Sequence, residues 1–167
     1  MILPLPEKFD ENEWLVIGVL MSGIVIYKLL PKRFPISLSI LIMIFSATYA
    51  RAFDHILASP LLDFYDVMDS PKFELFGVFT YIMYAPFGYL FVYIYDKFKI
   101  EDKYIVLYIF IWSFFGIGFE WLSSKCNIFT YKHWNLAYSF TIYLFVQYHT
   151  IVFFRYLKKK YKIVNQY

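Results

Sequence analysis

ISLSILIMIFSATYARAFDHIL, residues 36–57, decides the fold class. It is one apolar run opened by Pro35 and followed by Pro60. A helix over that length rises roughly 30 Å, about the thickness of a bilayer's hydrocarbon core. Near its far end stand Arg51, Asp54 and His55, three ionisable groups within five residues. Charge inside a membrane span is costly and marks either a buried pair or a site.

Four further apolar runs flank this one: Trp14 to Leu30, Phe73 to Tyr95 with Pro86 inside it, Tyr104 to Leu122, and Asn135 to Leu157. The chain has 167 residues, of which 60% are hydrophobic and 25% aromatic, well above the apolar share of a soluble domain. Mean hydropathy is +0.53. The sequence therefore predicts an all-α protein, a single integral membrane bundle of five transmembrane helices, with no room for a separate soluble domain. An internal proline predicts a kink in the third span.

The net charge is only +3, but it is unevenly placed. Eleven of the 16 Lys and Arg fall in Lys28–Arg33, Lys97–Lys103 and Arg155–Lys162. Four more, Lys8, Lys72, Lys125 and Lys132, fall in the alternate segments. Basic loops stay in the cytoplasm, so the N-terminus is expected outside and the C-terminus inside. Basic residues that flank apolar runs fit topology and give no nucleic-acid-binding face. The tail RYLKKKYK, residues 155–162, would also attract anionic membrane lipid. The N-terminus is acidic and lacks the basic opening of a secretory signal, so the first span is expected to be retained. Cys126 is the only cysteine, which leaves no intrachain disulfide and no Cys-based metal motif.

Helical rise gives depth. Arg51 lies 15 residues past Ile36, roughly 22 Å from the cytoplasmic side, and Glu120 lies 16 past Tyr104, about 24 Å. Charges on the second and fourth helices thus reach a similar level near the outer boundary. Arg51, Asp54 and His55, spaced i, i+3 and i+4, share a face. Three readings follow: an Arg–carboxylate clasp between the two helices, a hydrated ligand-binding or catalytic pocket, or groups that reach the interface water. A metal site from Asp54, His55, Glu120 and His133 lacks any supporting spacing, and no cofactor is expected. Gln147 and His149 are expected to form a buried hydrogen-bonded pair. Small residues at Gly18/Ser22, Ser46/Ala50 and Gly116/Gly118 are expected to let helices approach closely. The segment 59–72, SPLLDFYDVMDSPK, reads as an amphipathic outer lid, and it lacks the ligands and glycine turn of a calcium loop. No convincing internal repeat is evident; Glu13-Trp14-Leu15 recurs only as Glu120-Trp121-Leu122.

One stretch carries a resemblance. GFEWLSSKCNIFTYKHWNLAYSFTIYL, residues 118–144, places Glu120-Trp121 at a helix end, Phe129 and Tyr131 in a turn, and Trp134-Asn135 with Tyr138-Ser139-Phe140 opening the next helix. It resembles a family of small multi-pass membrane proteins of endospore-forming Gram-positive bacteria, for which no function is assigned. The match covers the last third, and the rest only in span layout. It implies a bacterial plasma membrane location and supplies no catalytic residues. The candidate ligand-binding or clasp residues are therefore Arg51, Asp54, His55, Glu120, Trp134, Asn135 and Tyr138.

No complete catalytic motif is present. The first functional expectation is a non-enzymatic membrane protein that binds a lipid-like or small ligand, or a membrane protein partner or second copy, through its outer polar cluster. A membrane-embedded enzyme acting on a lipid or isoprenoid through Asp54, His55 and Glu120 is the second. A proton-coupled carrier or channel is the third, against which stand the lack of a continuous polar path and an odd span count.

Overall fold

The computed structural model describes residues 6, 8–68 and 75–164, the side chains of 162–164 excepted. Five helices run through it: α1 (Glu11–Leu29), α2 (Ile36–Leu57), α3 (Leu75–Lys97), α4 (Ile105–Lys125) and α5 (Leu136–Val164). All five are long and apolar enough to cross a membrane. Their outward faces carry Ile40, Ile44, Val106, Leu107, Phe110, Ile111, Phe114 and Val152, all exposed. Such a surface would be anomalous in water and suits hydrocarbon, where the helices satisfy their own backbone groups. α2 coincides with the quoted run, while α1 starts three residues before the expected Trp14 and α5 continues to Val164, past the expected Leu157. The expected start of the third span at Phe73 lies outside the described residues.

Local sequence explains the helix ends. Asp10 opens α1 through a capping box with Glu13. Asn135 accepts from the backbone N–H of Ala137, so it caps α5. Asn127, just past α4, has φ 56, which lets the chain reverse there.

Two strands join the far ends of the helices. β1 (Tyr65–Val67) pairs antiparallel with β2 (Phe129–Tyr131), with Tyr65 opposite Tyr131 and Val67 opposite Phe129. Part of the segment expected to lie as a surface lid is thus a paired strand, with Tyr65 and Met68 buried.

This ribbon exposes a repeat that the sequence hid. The chain runs helix–strand–helix twice, α2–β1–α3 and α4–β2–α5. The same 66-residue shift carries Phe53-Asp54 onto Phe119-Glu120 and Tyr65 onto Tyr131. The antiparallel register sets the ribbon's local two-fold at the Tyr65/Tyr131 pair.

Helix packing is uneven. α2 and α1 both pack extensively on α3, and α4 packs on α5; α5 meets α2 and α3 only thinly. Close approach is localised: a Cβ on Gly88 would stand 2.5 Å from Ser46 Cβ, and one on Gly23 would stand 2.5 Å from Pro86 Cγ. Ser46 behaves as expected, whereas Gly18 and Gly118 face open space and mediate no helix contact. The thin seam is filled by rings instead, with Phe45 stacked on Phe153 at 4.3 Å and Phe53 edge-on to Phe145.

Two apolar clusters close the bundle at its ends. One, with Leu38, Ile42, Phe91, Val92, Tyr108, Ile109, Ile151 and Phe154, lies toward the basic end. The other, with Val16, Tyr65, Met68, Phe76, Met83, Ile128 and Phe129, lies under the ribbon. At the basic end Asp96 bridges Arg33 and Lys158, and Arg155 bonds Asp102 and the Tyr95 hydroxyl.

Candidate functional site

A cavity lies between the α2/α3 pair and the α4/α5 pair. It exists because the two pairs meet through long rings and not through close backbone contact. On its α3 and α4 sides the wall is aromatic, with Phe87, Phe91, Trp112, Phe115 and Phe119. Phe115 both lines the cavity and is 61% exposed, so the cavity reaches the outer face of the bundle beside α4. Toward the ribbon the wall carries Asp54, Tyr65, Glu120, Tyr131, Trp134, Ser139 and Tyr143.

Glu120 is 6% exposed and accepts three hydrogen bonds. Tyr131 and Ser139 each donate to Oε1 at 2.6 Å, and Tyr143 donates to Oε2 at 2.5 Å. Trp134 Nε1–H donates to Ser139 Oγ at 2.8 Å, which leaves the Ser139 proton to point at Glu120. Both oxygens are therefore acceptors, an arrangement suited to a carboxylate in a dry site.

Asp54 is 9% exposed, and Tyr65 donates to its Oδ1 at 2.6 Å. Its Oδ2 is buried with no hydrogen-bond partner among the described residues. A buried polar atom left so is costly and calls for an explanation.

The two ribbon phenols sit outside the helices, and both titrate abnormally. Burial, then the charge and hydrogen bond of Asp54, raises Tyr65 far above the usual phenol range. Burial, then its bond to Glu120, does the same for Tyr131. On the outer surface of the ribbon Lys132 bonds Asp63 and Asp66, which raises its pKa.

The seven expected site residues separate. Asp54, Glu120 and Trp134 line one cavity. Arg51 does not line it; its Nη1 donates to the Tyr81 hydroxyl at 3.2 Å and its guanidinium lies 5.0 Å from that ring's centre. Of the expected Arg–carboxylate clasp, no ion pair joins Arg51 to Glu120 among the described residues, where three hydroxyls hold the carboxylate, while the Arg51 charge acts on Asp54. His55 is exposed and Asn135 is a helix cap. Tyr138 is exposed, its ring 5.3 Å from Trp134. Gln147 accepts from Ser113, and His149 bonds the Phe145 carbonyl, so the two do not pair with each other. Sequence reading passed over Tyr65, Ser139 and Tyr143 as ligating groups. Tyrosine is so abundant here that only the equal spacing of eleven residues, Asp54 to Tyr65 and Glu120 to Tyr131, could have singled any out.

Among the described residues no group of three or more His, Cys, Asp or Glu could hold a metal. Comparison with family models, curated proteins and solved structures finds no match to the chain.

Proposed function

We propose that this is a bacterial plasma-membrane protein, of the endospore-former family its sequence resembles, that binds one lipid-like or small amphipathic ligand in the cavity between its helix pairs. The carrying observation is the division of the cavity wall. An apolar, aromatic flank meets a polar end where one carboxyl oxygen has no partner among the described residues. Ligand pockets combine apolar walls with a few fixed polar groups in this way. The Lys/Arg bias supports an orientation with the ribbon end outside and the C-terminus in the cytoplasm.

Binding is favoured over the other two readings by particular residues. The enzyme reading needs Asp54, His55 and Glu120 to act together, yet His55 is exposed and Glu120 is occupied by three donors. A transport path toward the basic end meets the packed cluster of Ile42, Val92, Ile151 and Phe154.

The test is extraction in mild detergent followed by mass spectrometry of what co-purifies. A bound amphiphile is expected in the native chain and its loss in Ile142→Trp, which fills the cavity. Protein that is folded and empty in both forms overturns the proposal.

A further inference from the structure

The polar end of the cavity has a definite electrostatic character. Its lining holds two carboxyls, Asp54 from α2 and Glu120 from α4, and no Lys, Arg or His among the described residues. Besides the Trp134 indole and the Gln147 amide, the remaining polar side chains of the lining are hydroxyls, and those on Tyr65, Tyr131, Ser139 and Tyr143 already give their protons to the carboxyls. Arg51, the nearest cation on α2, is turned to Tyr81. The Arg51 charge still acts on Asp54 from outside the lining, so two acidic groups that repel each other are offset by one cation, and the polar end keeps a negative excess.

The unpartnered atom and the rings beside it define the complement. Asp54 Oδ2 can only accept while the carboxyl is ionised, so a ligand group that meets it must donate. The Tyr65 ring stands 5.8 Å from the Trp134 ring at this end, and both line the cavity. Aromatic faces attract cations, most strongly where water is excluded. A bare metal ion is poorly served, because Glu120 has spent both oxygens on hydroxyl donors and hard cations want six or more oxygen ligands.

We infer that the ligand is a cationic amphiphile, whose ammonium head donates to Asp54 Oδ2 beside Tyr65 and Trp134 and whose apolar tail lies against Phe87, Phe91, Trp112 and Phe115. Asp54 is the recognition carboxyl and Glu120 the anchor that holds α4, α5 and β2 around it. This inference rests on the cavity being a binding site.

The experiment uses the full chain in nanodiscs of zwitterionic phosphatidylcholine, with empty nanodiscs as the partition control. Dodecylamine, dodecanol and dodecanoate share a tail and differ in head charge, and their binding is read from tryptophan fluorescence. Dodecylamine is expected to bind at least about tenfold tighter than dodecanol, with dodecanoate weakest. Asp54→Asn is expected to erase the preference for the amine over the alcohol. Equal binding of amine and alcohol by the native chain overturns the inference and needs no variant. So does an amine preference that survives in Asp54→Asn. Binding of all three heads alike, lost in Ile142→Trp, sinks the cationic head and leaves the cavity reading intact. Binding of none above empty nanodiscs sinks both.

Discussion

The two helix–strand–helix halves solve one problem in opposite ways. Each ends a helix with a buried carboxyl and returns a tyrosine to it eleven residues later. In the second half Glu120 receives two further hydroxyls, from Ser139 and Tyr143 on α5. In the first half α3 supplies none of these to Asp54, and one of its oxygens is left without a partner among the described residues. The second carboxyl is closed by its donors, and the first keeps an acceptor unused. Matching scaffolds thus serve different tasks through what the return helix offers.

The largest expected effect tests this asymmetry. Glu120→Ala leaves the Tyr131, Ser139 and Tyr143 hydroxyls without their acceptor, at a combined cost of about 3–9 kcal/mol, since each buried unsatisfied group costs about 1–3. Asp54→Asn keeps an acceptor for Tyr65 and is expected to change stability by less than about 1 kcal/mol. Thermal unfolding in detergent measures both, and equal losses would erase the distinction between anchor and open site.

The helix seams are the next point of contrast. Gly88→Ala drives a methyl into Ser46 on the tight α2/α3 seam and is expected to cost about 1–3 kcal/mol. Gly116→Ala meets only the edge of the Tyr143 ring, at 3.2 Å, and is expected to cost less than Gly88→Ala. The same melting experiment ranks them.

Removing one phenol from each half has a smaller effect. Tyr65→Phe takes the Oδ1 partner of Asp54 and is expected to cost about 1–2 kcal/mol, against about 1 for Tyr131→Phe, where Glu120 keeps two donors. A double variant shows whether the ribbon couples them.

The smallest effect is spectroscopic. Tyr65 and Tyr131 have folded pKa values raised above the unfolded value near 10. The protonated form is the one folding favours, so their contribution is complete below pH 10 and is lost as pH rises from there through the folded values. Phenolate absorbance, assigned by difference from the two Tyr→Phe variants, should therefore develop only above about pH 10. Glu120→Gln should lower the Tyr131 transition and leave the Asp54 hydrogen bond to Tyr65 in place.

What could be read from residues followed local rules. Five apolar runs gave five helices, and Pro35 gave the start of α2. Depth along a helix is a matter of rise per residue, so Arg51 and Glu120 fell at a similar level, with Asp54 about a turn further out, before any packing was known. The clasp failed because depth says nothing about rotation. Arg51 turns to Tyr81 on α3, and Glu120 turns to hydroxyls on α5 and β2. Gly18 and Gly118 failed for the same reason, since a small residue permits close approach without choosing the face that approaches. The strands were illegible because each spans three residues and needs the other half of the chain to exist.

The sequence by itself determined the five long apolar helices, the segregation of charge and the similar level of Arg51 and Glu120, because hydrophobic length and helical rise are properties of contiguous residues. Only the tertiary structure decided that a ribbon joins two repeated halves, that hydroxyls and not Arg51 hold Glu120, and that Asp54 keeps one oxygen turned from every described donor. Those outcomes rest on residues far apart in the chain, such as Tyr65 opposite Tyr131, whose meeting is fixed by how helices rotate and pack against one another.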